Sequence, residues 1–543
     1  MNPIFLSVLT VAACIAAPKL SSGGARNAAS YSSTTSLNGG IAQGARFVLL
    51  GKDLGPAESV TNDAYPLATE LGGVTVKVTV GGNTLDAWVI SASATKIVAM
   101  LPSSATIGKG KVALRFNSET SEGDIEVVSR AVGLFTAGAR GSGQAVAMSA
   151  ESGAPVLVNA SAKPGQQIRL RATGLGSVEG DEASGPTPKT FDASELEVRV
   201  GDKIATVSAA QRTEIAGVDE LTVEVPTGVD GCFAPIVVKA GTKYSNFVTV
   251  PVAANGGYCS SNLLSSGAIE GAANNGGEVR IGSINLSRIA ISLEQQGEFV
   301  TDSASGSFLK LKVEDFGASN TPQTEIALGS CYVFNSDVFE DEAPETTFNV
   351  PVDLAAGRLS VNGPKGVKAL GDVKGSFSVE LGTGINIQLP PGIPSIPGLP
   401  SSLYLDPGSY TITGAGGADV GAFNVQVQLN PVEWSNPGVA ASVNRAQPLT
   451  LNWTGGRAND YVMALGTSAT RAGLLGTFVC IAKASDLKIT VGTHILQNLP
   501  ASNQEGSLLG LFSIAEPAIF KASGLDSGSV TFSRMAARQA VYR

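Results

Sequence analysis

Histidine is almost absent from this sequence: of 543 residues, only His494 carries an imidazole. A zinc site built on two histidines is therefore excluded, and a Ser–His–Asp triad would have to use His494. No G-x-S-x-G elbow exists to present a serine to it, and His494 stands beside Ile495 and Leu496 as a structural residue would. No Gly-Lys pair is followed by Ser or Thr, so a P-loop is missing, and no complete G-x-G-x-x-G follows a strand-like run. Charge is also scarce: Asp, Glu, Lys and Arg together make up 15% of the chain, with a net charge of −9 and no basic patch interleaved with aromatics. Nucleic acid is not an expected partner. Aromatics reach only 6%, with Trp88, Trp434 and Trp453 as the tryptophans, so no row of rings announces a sugar-binding platform. Away from the N-terminus there is no run of about 18 apolar residues, and no transmembrane helix is expected once a leader is removed.

What the chain does have is glycine and short apolar runs. Its 65 glycines, 27 prolines and 43% apolar content suit strands joined by turns, with ample material for burial. The length predicts three or four domains rather than one core. The start reads as an export signal. Ile4 to Ala17 is apolar or small almost throughout, closes on Pro18-Lys19, and is too short to span a membrane, although no Lys or Arg precedes it. Two forms of processing compete. Val11-Ala12-Ala13-Cys14 fits a lipobox with Cys14 lipidated, whereas a cut near Ala16 or Ala17 would release a freely secreted chain.

Outside that leader, four cysteines remain, and none is spaced C-x-x-C. An even count in an exported chain predicts two disulfides with three connectivities. The nearness of Cys232 to Cys259 favours that pair, which leaves Cys331–Cys480 to join the third region to the fourth.

The strongest internal signal is a duplication with a period of about 120 residues. Gly44-Ala45-Arg46-Phe47-Val48-Leu49-Leu50-Gly51-Lys52-Asp53-Leu54-Gly55 aligns without a gap on Gly165-Gln166-Gln167-Ile168-Arg169-Leu170-Arg171-Ala172-Thr173-Gly174-Leu175-Gly176. Period-2 strands follow: Val74, Val76, Val78 and Val80 in one copy, Leu196, Val198 and Val200 in the other. Strands closing on Leu101-Pro102 and Val225-Pro226 come next, then Lys111 to Phe116 and Ile236 to Lys239. About seven short strands per 110 residues is the pattern of an immunoglobulin-like sandwich.

Asn27-Ala28-Ala29-Ser30-Tyr31, Leu54-Gly55-Pro56 and Leu71-Gly72-Gly73-Val74, continued by Pro164-Gly165 and Gly174-Leu175-Gly176, make residues 27–253 resemble the tandem IPT/TIG-like segments of large exported proteins from soil bacteria. The resemblance implies an early-set immunoglobulin fold and a secreted or cell-surface setting, and implies no activity. The second copy departs from the first by carrying Ala172 where the first has Gly51.

Beyond Ser261 the repeat stops, while alternation continues at Leu309–Val313, Phe377–Leu381 and Phe423–Leu429. The expected architecture is all-β: a leader over 1–23, IPT/TIG-like sandwiches over 24–133 and 134–260, a third β-sandwich over 261–430 and a β-rich fourth domain over 431–543. Prolines 391, 394, 397 and 400 recur with the polyproline II period, which predicts a stiff extended loop over 390–400. Asp337, Glu340, Asp341, Glu342 and Glu345 form an acidic cluster without EF-hand spacing; it reads as a solvated loop, with calcium as the one cofactor it suggests.

The sequence therefore predicts a non-enzymatic secreted or surface protein. Its sandwich modules would act as adhesion, binding or spacer units toward an extracellular protein or glycan. The alternative is an exported carbohydrate-active enzyme or carbohydrate-binding protein with its site in 261–543, since two facing carboxylates leave no sequence motif.

Overall fold

The computed structural model describes residues 17–260, 277–294, 297–312, 326–337, 351–373, 375–386, 402–471, 473–502 and 507–543, with a few isolated positions between 260 and 277. The second copy of the repeat shows its logic most plainly. One sheet runs Gly133–Leu134, Gln167–Thr173, Asp219–Glu224, Val207–Arg212, with Ala147–Ser149 also beside Gln167–Thr173. The other runs Lys203–Ala205, Leu196–Val200, Gly231–Ala240, with Lys243–Tyr244 and Val248–Val252 both on the last of these. In chain order this is A-B-E-D facing C′-C-F-G, the strand order of an immunoglobulin sandwich. Alternation decides which side chains meet between the sheets. Leu196, Val198 and Val200 point inward, against Ile168, Leu170, Leu221 and Val223 from the opposite sheet.

The first copy keeps the order but joins its two sheets. Asn83–Ala92 pairs over its first half with Val74–Val80 and over its second half with Lys96–Met100, with a register shift between Val89 and Ser91. One strand thus serves as both C′ and D, and the bulge carries it from one sheet to the other. Ile41–Ala42 closes the sandwich by pairing in parallel with Val127–Val128. Lys19–Leu20 pairs with Lys52–Gly51, so the first sheet starts ahead of the boundary expected at residue 24. This neighbour also explains the glycine that distinguishes the copies: a Cβ on Gly51 would lie 2.1 Å from the Lys19 carbonyl oxygen. In the second copy, Ala172 lies opposite Leu134 and keeps its methyl group in the core.

The second half corrects an expectation. The regions 261–430 and 431–543 interleave in one sheet of 14 strands, and only Val432–Trp434, Leu449–Gly455 and Lys488–Val491 form a sheet of their own within the second region. Glu278–Leu293 and Gly297–Lys312 form a hairpin of two 16-residue strands. Gly297–Lys312 continues to Ser376–Asn386 on one side. On the other side, Ser527–Gln539 lies parallel to Glu278–Leu293 and leads on to Leu508–Ile514, Tyr461–Ala469, Leu474–Lys483 and Cys331–Asp337. The exchange runs both ways. Val530 and Phe532 fill the core built mainly from residues 284–429, while Cys331, Tyr332 and Val333 fill the core built mainly from residues 432–542. A period-2 pattern assigns faces to a strand and does not name its neighbour, so this pairing left no trace in the sequence.

The sandwiches are locked together by buried polar groups. Arg212, with 2% of its side chain exposed, pairs with the fully buried Asp219 at 2.6 Å and donates to the Gly176 carbonyl at 3.0 Å. Its second amino group faces Glu182 at 3.8 Å. Glu182 in turn accepts from the backbone N–H and the hydroxyl of Ser103 in the first sandwich, at 2.8 and 2.9 Å. Arg46 of the first sandwich donates to the Ala216 carbonyl of the second at 2.6 Å. Removing one partner of such a pair strands the other charge in a dry environment. Arg212→Leu should therefore destabilise the chain by about 3–5 kcal/mol; a urea midpoint equal to wild type would contradict this. Burial holds the Glu182 carboxyl above the usual carboxylate range. The folded state then keeps a proton that the unfolded chain has already released, so this contribution to stability grows as pH falls through the folded value. Comparing urea midpoints at pH 7 and pH 5 for wild type and Glu182→Gln isolates it. The wild type should gain on the variant at the lower pH.

Candidate functional site

Sandwich faces are spent on burial, so free side chains gather where loops of neighbouring bodies meet. Among the described residues, two clefts at such junctions border the repeat copies. The first lies between the two repeat copies and encloses about 660 Å³. Its floor is the turn Leu175–Ser177, held by the Arg212 bond to Gly176 and by the Leu175 N–H, which donates to Asp219 at 2.8 Å. Ile107, 54% exposed, forms an apolar lip from the first sandwich, and the largely buried Phe191 contributes from the second. Around them stand three cations. Arg130 pairs with Glu195 at 2.7 Å and donates to the Leu175 carbonyl at 2.9 Å. Lys189 donates to the Ser177 carbonyl at 2.8 Å and lies 5.4 Å from the centre of the Phe191 ring. Lys243 reaches across the junction to the Gly39 carbonyl; burial lowers its pKa, and the charge of Glu126 partly offsets this.

The second cleft, about 500 Å³, lies where both repeat copies meet the C-terminal half. Tyr332 donates to the Phe247 carbonyl at 2.7 Å, Tyr244 donates to Gln497 at 3.1 Å, and the Asn38 amide donates to Asn498 at 2.7 Å. These bonds fix the walls, and Ser30, Ser32, Phe334 and Thr477 complete the lining.

Both disulfides are formed. Cys232–Cys259 has a Cα–Cα distance of 5.1 Å and packs with Phe233 and with Val279 of the long hairpin. Cys331 and Cys480 lie directly opposite each other on paired strands. His494, 8% exposed, sits in the single helical turn Thr493–Leu496, with Nε2 3.2 Å from a carboxylate oxygen of Asp202. It therefore serves as a contact between the second sandwich and the C-terminal half. Trp453 is buried and donates to the Ala484 carbonyl at 2.8 Å. Cys14, the cluster residues Glu340, Asp341, Glu342 and Glu345, and the proline segment 390–400 lie outside the described residues. Asp337 ends the strand Cys331–Asp337, and its side chain is likewise outside them. Among the described residues, no three His, Cys, Asp or Glu side chains stand together as a metal site, and no helix is long and apolar enough to cross a membrane.

Sequence reasoning missed Arg130, Lys189, Lys243 and Phe191. They come from separate stretches of the two copies, with Lys243 on the strand Lys243–Tyr244, and of the residues between them the sequence singles out only Gly174-Leu175-Gly176, as the close of the repeated segment.

No family model matches the chain, and no curated protein matches it. Among solved structures, domains 5–6 of the S-layer protein SbsC share 14% identity over 43% of this chain and 98% of that chain, with a TM-score of 0.16. The SGBP-B protein of a Bacteroides ovatus mixed-linkage glucan utilization locus, solved with a mixed-linkage heptasaccharide, shares 12% identity over 40% of this chain and 46% of that one, with a TM-score of 0.20. A titin tandem shares 8% identity over 71% and 93%, with a TM-score of 0.12. The class of protein follows from the strand order itself: this is an all-β chain that opens with two immunoglobulin-like sandwiches.

Disulfide loss supplies a test of the framework. The separations of 27 and 149 residues correspond to roughly 3.5 and 5 kcal/mol of chain entropy. Replacing Cys331 and Cys480 by alanine should thus lower the guanidinium midpoint more than replacing Cys232 and Cys259. The reverse order would show that local packing outweighs the loop closed.

Proposed function

We propose that the chain is a non-enzymatic protein of the secreted or cell-surface compartment, and that its immunoglobulin-like modules form a rigid scaffold presenting binding clefts at their junctions. One observation carries this reading. The walls of both clefts are fixed by bonds that cross from body to body, such as Lys243 to Gly39 and Tyr332 to Phe247. Clefts held in this way are formed before a ligand arrives, and domain junctions are where binding sites concentrate. Two disulfides fit an oxidising compartment, as does the apolar segment Ile4–Ala17 read as a leader. The IPT/TIG-like resemblance of residues 27–253 points to the same setting. An extracellular glycan or protein is the partner class.

The purified chain, tested on glycan arrays and on cell surfaces, should be retained by at least one glycan or surface and should release no reducing ends from polysaccharides. Hydrolysis of any polysaccharide would overturn the non-enzymatic reading, and silence on every surface would overturn the binding role.

A further inference from the structure

Resting on that reading, we propose that the cleft between the first two sandwiches binds an acidic oligosaccharide, with uronate carboxylates held by Lys189 and Lys243 and a sugar ring lying against Ile107. The argument begins with charge. The chain carries −9 overall, yet this cleft collects three cations against one lining carboxylate. Glu195 is already committed to Arg130 at 2.7 Å. Lys189 and Lys243 instead donate to the Ser177 and Gly39 carbonyls. A carbonyl satisfies a donor but carries no net charge to set against the ammonium. At Lys243 burial disfavours the ammonium form, and Glu126 opposes that only in part. An anion entering the cleft would recover that cost.

The remaining lining says what kind of anion. Ile107 keeps 54% of its surface exposed at the lip, while Phe191, buried beneath Lys189, backs that wall from the core. Apolar C–H faces of a sugar ring suit such a surface. Gln43, Ser129 and Thr242 supply an amide and hydroxyls along the walls, which suits a ligand whose own hydroxyls both donate and accept. The volume of about 660 Å³ falls in the range of small-ligand sites. Charge, an exposed aliphatic contact and hydroxyl partners together match a carboxylated oligosaccharide better than an acidic peptide, whose backbone would seek a sheet edge.

The test is titration calorimetry of the full chain with a galacturonate trimer, its fully methyl-esterified form and triglutamate. The trimer should bind, and its affinity should fall as NaCl is raised. The ester keeps the rings and loses the charge, and should bind at least about tenfold more weakly. The Lys189→Gln/Lys243→Gln double variant should lose about tenfold or more toward the trimer. Glu195→Gln removes the opposing carboxylate and should tighten binding about two- to fivefold. Lys243→Arg retains both the charge and a donor for Gly39, so it should keep binding and separates loss of charge from loss of the junction.

Equal affinity for triglutamate would overturn the sugar assignment. Trimer binding unchanged in the double variant would overturn the site. An absence of trimer binding, in a chain that a glycan array retains elsewhere, would also overturn this proposal while leaving the scaffold reading intact; silence on the whole array would instead take away the binding role itself.

Discussion

A guanidinium with almost no access to water must find a carboxylate, and at the junction of the first two sandwiches Arg212 finds Asp219. Much of the local geometry hangs on that pair. Asp219 also takes the Leu175 N–H, and Arg212 also reaches the Gly176 carbonyl, so the turn that ends one strand is held from both sides. The same guanidinium faces Glu182, which grips Ser103 of the neighbouring sandwich. A single buried cation thus sets the shape of a turn, the contact between two modules and the floor of a cleft. Apolar packing alone would fix these less sharply, because it lacks direction.

The first half was legible in the sequence because its information is local. Gapless repetition between Gly44–Gly55 and Gly165–Gly176 marked the B strands of both copies, and the alternating valines marked the C strands with their inward faces. The difference between Gly51 and Ala172 was visible as drift. Its cause was not, since that cause is the Lys19 carbonyl, a neighbour some thirty residues away. Non-local pairing also hid the second half. Val530 and Phe532 alternate as any strand would, and nothing in them points to Glu278–Leu293 as the parallel partner.

The candidate site was the least legible part, for a related reason. Its cations stand on separate stretches of the chain, and no spacing rule links Arg130, Lys189 and Lys243. A sequence shows them as scattered surface charges. Only the folding of two copies against each other turns scattered charge into a local excess, set inside a chain whose overall balance is acidic. The lone histidine shows the converse: its rarity drew attention to chemistry, while its position at Asp202 gives it the work of a contact.

The parallel strand Ser527–Gln539 has a consequence for the order of events when the chain is made or exported. It sits between Glu278–Leu293 and Leu508–Ile514, yet it follows every other strand of that sheet in the chain. Until it arrives, two partly built halves carry open edges that face each other with nothing between them. The amino-terminal sandwiches, whose strands pair within their own modules, need not wait. A chain emerging residue by residue would thus present finished modules followed by an unfinished sheet. For that interval it is exposed to pairing with other copies of itself, the hazard that bare strand edges carry.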